Sequence, residues 1–143
     1  MRKMFLALFC LAVSVGHAQG LRLEEGFVLP TAARKSAPLF LHFANPTSQS
    51  VVITGAAAPF TNRIVLRNHT KREGKTLIES GGTITIPSKS RVKLLPGATE
   101  LVMLNLAEPL RGGTEFPLVL QFASGQTQVV RVKVRHDTNS LTK

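Results

Sequence analysis

Chemistry in this sequence of 143 residues has few places to start. Cys10 is the only cysteine, so no intramolecular disulfide, no cysteine metal cluster and no thiol chemistry are expected. Asp137 is the only aspartate and stands six residues from the end. No two carboxylates have a spacing that suggests acid–base work. The nucleophile-elbow, zinc-protease and phosphate-loop patterns are absent. The expectation is a protein that is not an enzyme, with Gly81-Gly82 and Gly112-Gly113 serving turns. His42 alternates with Leu41 and Phe43, which reads as a strand histidine and not a ligand, and His136 beside Asp137 reads as solvated. Asn68-His69-Thr70 has the form of a glycosylation sequon, a triplet that also arises by chance.

Charge narrows the partners. There are 18 Lys and Arg against 8 Asp and Glu, a formal +10, with 43% hydrophobic and 18% charged residues. That composition belongs to a folded domain and not to a disordered tail. Residues 1–18 read as a secretory signal: Arg2 and Lys3, an apolar run from Met4 to Val15, and a small-residue cleavage site at Gly16-His17-Ala18. As a helix the run spans only about 18 Å of a roughly 30 Å hydrocarbon core, which favours cleavage over anchoring. Phe9 before Cys10 departs from a lipoprotein signal, and Cys10 reads as apolar filler that is cut away. Losing Arg2 and Lys3 leaves a formal +8, and no second apolar run is long enough to cross a membrane. For an exported protein, in the periplasm, a positive surface suits anionic lipid, wall polymer or an acidic protein better than nucleic acid. The cations are scattered, loosely clustered only from Arg63 to Lys75, and no aromatic stacking platform accompanies them.

The elements that must position these residues are short strands. Candidates are Leu23–Val28, Pro38–Asn45, Val51–Ala56, Arg63–Asn68, Thr76–Ile78, Thr83–Ile86, Arg91–Leu94, Glu100–Leu106, Phe116–Phe122 and Gln128–Arg135. Breaks such as Asn45-Pro46, Glu73-Gly74, Pro96-Gly97 and Ser124-Gly125 supply the backbone angles of tight turns. Leu118, Leu120 and Phe122 share one face of a core strand, near whose start Pro117 should sit. Val130, Val132 and Val134 alternate with Arg131, Lys133 and Arg135, a half-buried strand with a cationic outer face. No stretch keeps helical periodicity over three turns. The expected class is all-β, an antiparallel sandwich or barrel over residues 19–136, with a flexible polar tail at 137–143.

One family shares this order of landmarks. Asn45-Pro46 follows an apolar strand, Gly55-Ala56 closes the next, and Ile64-Val65-Leu66 and Ile86-Pro87 follow. Leu95-Pro96-Gly97 leads into a strand to Leu104, then come Pro109-Leu110 with Gly113, and Leu118-Val119-Leu120-Gln121-Phe122. Over residues 22 to 135 the chain resembles the PCu(A)C family of periplasmic copper chaperones. The resemblance implies a monomeric, cupredoxin-like Greek-key β-sandwich, copper as cargo, and delivery of Cu(I) toward the copper centres of cytochrome oxidase.

The ligands depart from that family. Its copper is held by a pattern H-x10-M-x21-H-x-M, in which soft thioethers with imidazoles suit Cu(I). That spacing falls here on Arg67, Ile78, Glu100 and Val102. Arginine binds no cation, isoleucine and valine offer no donor, and a carboxylate is a hard ligand for Cu(I). An Arg67–Glu100 ion pair backed by Ile78 and Val102, contributing about 0.2–1 kcal/mol, is one expectation for the vacated locus; unrelated surface charges are the other. His69, two residues beyond Arg67, points to the same side of a continued strand. With Glu100 it would offer one nitrogen and one oxygen, a weak Cu(II) or Zn(II) site beside a repelling Arg67. Met103 falls on the opposite face from Glu100 and Val102 and fills core.

Three functions stay open: copper handling with altered ligands or with a copper-acceptor partner, a metal-free interaction module that meets an acidic envelope protein, and binding of anionic polymers by charge alone.

Overall fold

Apolar side chains at every second position, interrupted by turn residues, produce strands and nothing else: in the computed structural model, which describes residues 20–136, no helix occurs among the described residues. The strands in chain order are β1 (Arg22–Val28), β2 (Ala37–Pro38), β3 (Phe40–Asn45), β4 (Val51–Ala57), β5 (Arg63–Arg72), β6 (Lys75–Ser80), β7 (Ile84–Ile86), β8 (Ser90–Leu94), β9 (Thr99–Leu104), β10 (Glu115–Phe122) and β11 (Thr127–Val134). They form two stacked sheets, a larger one in the order β7-β4-β10-β11-β1-β3-β8 and a smaller one in the order β2-β9-β5-β6. All the ladders are antiparallel except β1 with β11. The all-β, cupredoxin-like sandwich expected from the sequence is the fold of the chain.

The core lies between the sheets. Phe116, Leu118, Leu120 and Phe122 of β10 and Val130, Val132 and Val134 of β11 point inward from the larger sheet. Leu66, Leu101 and Met103 meet them from the smaller one. Pro117 pairs with Arg131 of β11, and β4 begins to pair with β10 only at Val119. Pro117 thus sits where β10 has no neighbour on that side, and its missing N–H interrupts no β4 ladder.

The largest differences from expectation lie in two elements, while β6 (Lys75–Ser80) is longer than the expected Thr76–Ile78 and β9 ends at Leu104 and not at Leu106. The run Pro38–Asn45 is not one strand. It breaks at Leu39, so that β2 joins the smaller sheet beside Met103 and Val102 while β3 enters the larger one. Leu39 N–H donates to Leu101 C=O at 2.9 Å as the chain crosses. Both halves are apolar, so periodicity alone carries no mark of the change of sheet. The strand from Arg63 also runs past Asn68 to Arg72. Glu73 (φ 50°) and Gly74 (φ 76°) form a two-residue loop with both positions left-handed, the hairpin turn that matches strand twist.

Asn45 reads in sequence as a turn residue, yet it is 1% exposed. Its Nδ2 donates to the carbonyls of Gln49 (2.8 Å), Ile86 (3.1 Å) and Pro87 (3.2 Å), and its Oδ1 accepts from Thr47 N–H (3.1 Å) and Thr47 Oγ1 (2.6 Å). The side chain ties the β3–β4 turn to the end of β7. Asn45→Asp turns the donor into an acceptor facing three carbonyls. A loss of about 2–4 kcal/mol is expected by urea unfolding, more than for Asn45→Ser, because buried carbonyls then lose their donor.

Candidate functional site

The antiparallel register of β5 with β9 places Arg67 directly across from Glu100 and Val65 across from Val102. On the other side of β5, His69 lies across from Ile78 of β6 and Arg67 across from Ser80. Alternation then puts Val65, Arg67, His69, Ile78, Glu100 and Val102 on one face of the smaller sheet. Leu66, Leu101 and Met103 on the reverse face are in the core, so this face turns away from the larger sheet. Chain segments distant in sequence thereby meet at one locus, held by three strands.

The locus is uneven. Val102 and Glu100 are buried, Glu100 to 5% exposure, whereas Ile78 is 59% exposed. Glu100 Oε1 and His69 Nε2 are 2.9 Å apart, with the imidazole side chain 16% exposed. The carboxylate is therefore an acceptor in a nearly dry place, and the imidazole N–H is its donor. A backbone bond braces His69, whose N–H donates to Ala98 C=O at 3.2 Å, and on the reverse face the neighbouring side chains are tied, Thr99 Oγ1 donating to Asn68 Oδ1 at 2.9 Å.

This corrects the expected Arg67–Glu100 tie. The two residues are opposite in register, yet among the described residues the side-chain partner of Glu100 is His69, two residues on along the same face. The physical reason is desolvation. An arginine that is only partly buried can keep its guanidinium in water, while a buried carboxylate needs a donor beside it. The stiff imidazole reaches it diagonally with little rotamer entropy to lose. Removing that donor by His69→Ala is expected to lower stability by about 1–3 kcal/mol, and Glu100→Gln, which keeps a hydrogen bond, by less, both read from denaturant midpoints.

The donor set does not fit cuprous ion. The family's ligand spacing falls on Arg67, Ile78, Glu100 and Val102, and none of these four brings sulfur or imidazole. No group of three or more His, Cys, Asp or Glu converges to hold a metal among the described residues. His69 and Glu100 would have to give up their mutual bond to take one. Met103, the methionine of the described residues, is fully buried on the reverse face.

The other histidines stand apart. His42 lies across from Glu25 in the β1–β3 ladder, its Nε2 3.6 Å from Glu24 Oε2, and Glu24 also accepts from Arg91 Nε at 3.0 Å. His136 is exposed. The signal sequence, with Cys10, and the tail 137–143 lie outside the described residues. Sequence reasoning missed the burial of Glu100. The trace available was its place between Thr99 and Leu101 in an almost wholly apolar strand.

Comparison with known proteins agrees with this architecture. The solved structures similar to it include the apo PCuAC domain from PmoF1 (TM-score 0.69, 16% identity, covering 82% of this chain and 95% of that one). The copper-bound PCuAC domain from PmoF2 follows at TM-score 0.66 and 14% identity, over 82% and 94% of the two chains. Apo-DR1885 from Deinococcus radiodurans matches at TM-score 0.64 and 20% identity, over 85% and 83%. At such identities the likeness is one of fold. In sequence, "Putative lipoprotein Lxx21020" of Leifsonia xyli subsp. xyli is 26% identical over 120 residues, 83% of this chain and 72% of its own length. Residues 21–134 match the family described as "Putative lipoprotein LpqE-like", a span that starts beyond Cys10. The chain therefore belongs to the LpqE-like family, built on the β-sandwich that PCuAC domains share.

Proposed function

We propose that this protein is an exported, periplasmic domain of PCuAC architecture that acts by binding a protein partner and holds no cuprous ion at the four positions where its structural relatives' family holds copper. The observation that carries this reading is the His69–Glu100 bond of 2.9 Å beside a partly buried Arg67, which lies across from Glu100 in register. The locus is closed by its own hydrogen bond and flanked by a cation, an arrangement suited to stability and to recognition of negative charge. Export follows from the basic, apolar and small-residue pattern of residues 1–18, and a lipoprotein family points the same way.

A second reading rests on the likeness to a copper-bound domain. The chain would take part in copper delivery, toward cytochrome oxidase or another acceptor, with sulfur ligands supplied by the partner or with weak Cu(II) binding at His69 and Glu100. Titration of the full chain with Cu(I) and with Cu(II), beside His69→Ala and Glu100→Ala, separates the two. The expected result is no one-to-one cuprous complex tighter than about micromolar. A tight one-to-one complex that both substitutions abolish would overturn the interaction reading.

A further inference from the structure

Sheet edges are the places where a sandwich can pair with another chain, and among the described residues this one protects three of its four. At the ends of the larger sheet, β7 has three residues, and β8 has five with Arg91 and Lys93 turned to solvent. In the smaller sheet β2 has two residues, one of them Pro38. The remaining edge, β6, is different. It runs for six residues in unbroken register with β5, contains no proline and no bulge, and every residue of it is exposed. It carries Leu77 at 41% exposure and Ile78 at 59%, two of the four large apolar side chains exposed among the described residues.

The face beside this edge is charged in one sense. Across from Thr76, Ile78 and Ser80 on β5 stand Lys71, His69 and Arg67. Arg67 and Lys71 flank Ile78 diagonally, and the carboxylate on that face, Glu100, is buried and held by His69. The ion pairs among the described residues leave out Arg67, Lys71, Arg72 and Lys75.

From this juxtaposition we infer that β6 receives an extended acidic segment of a protein partner as a fifth strand of the smaller sheet. Main-chain bonds to the outward N–H and C=O groups of Lys75–Ser80 supply affinity, and alternate side chains supply choice. An apolar residue lies beside Ile78, with carboxylates two positions before and after it, within reach of Arg67 and Lys71. A second copy of this chain is disfavoured as occupant, because it brings the same cations and no free carboxylate on that face. The inference rests on the partner-binding reading and specifies its surface.

The test uses the full chain and the synthetic peptide Thr-Glu-Thr-Val-Thr-Glu-Thr. The expected result at low salt is saturable binding that protects the backbone amides of Lys75–Ser80 from exchange. Binding should weaken at least about tenfold when alternate peptide nitrogens are methylated, because strand addition needs those donors. A similar loss is expected with Lys71→Glu, a surface change whose unfolding midpoint confirms an intact fold. Equal binding of the methylated peptide, protection elsewhere, or equal competition by polyphosphate without amide protection would overturn it. So would a concentration-dependent dimer that protects the same amides without peptide. A tight cuprous complex would overturn the function proposed above and leave this measurement standing, and failed strand addition would do the reverse.

Discussion

Arg67→His, Ile78→Met, Glu100→His and Val102→Met, made together, are expected to make the chain bind a single cuprous ion about a thousandfold more tightly than the unsubstituted chain does, a gain of roughly 4 kcal/mol. Register brings position 67 opposite 100, with 102 next along the same face and 78 one strand away, so the four side chains start from one locus. Two thioethers and two imidazoles are the soft and borderline donors that suit Cu(I), and the change removes the one guanidinium that repels it. Loss of Glu100 also frees His69 from its hydrogen bond. Competition with a cuprous chelator measures the gain, and X-ray absorption should show sulfur and nitrogen around the metal. The two methionines alone should recover only part of it. Methionine at buried position 102 overpacks its surroundings by about 1–3 kcal/mol, so the unfolding midpoint must show a folded variant. A folded variant with no gain would mean that these positions do not converge on a cuprous cradle.

The largest loss of stability outside the inter-sheet core is expected from Phe27→Ala. Phe27 of β1 pairs with Phe40 of β3, and their rings stack at 4.7 Å with 7° between planes. Leu29 and Leu95 pack against them in a second, smaller cluster apart from the main core. The Arg135 guanidinium carbon lies 4.5 Å from the Phe27 ring centre, and Arg135 Nη1 donates to Glu25 Oε1 at 2.6 Å. Removing a buried ring from such a cluster leaves a cavity and costs about 3–5 kcal/mol. For a domain of this size that lowers Tm by about 10–25 °C. Phe27→Leu should lose clearly less. A shift of only a few degrees for Phe27→Ala would mean that the cluster collapses around the gap and contributes little.

Which parts were legible in the sequence follows from the range of the interactions that made them. Leu118, Leu120 and Phe122, and the valines of the last strand, could be assigned to a core face because alternation is a local property of an extended chain. The turn at Glu73-Gly74 was legible for the same reason. The break at Leu39 was not, since both sheets ask for the same apolar residues and only their positions in space divide the run. Nor was the outer Phe27–Phe40 cluster, because the first strand's pattern does not say which of its faces will be covered. Of the candidate site, the residues sharing the face could be listed by parity and spacing. The partner of Glu100 could not, since it depends on which neighbour is stiff, near and short of water.

Alternating apolar residues and well-placed turns by themselves determined that this chain makes short strands of an all-β sandwich or barrel, and the landmark order, by its resemblance to the copper-chaperone domains, pointed to the sandwich. Those signals act between neighbours in the chain, so they survive without any knowledge of how it closes. Only the tertiary structure decided that Glu100 is buried and bonded to His69 in place of Arg67, and that β6 is left as the one long open edge among the described residues. Both depend on the register and burial of strands brought together from distant parts of the chain, where the cost of removing a charge from water selects the partner.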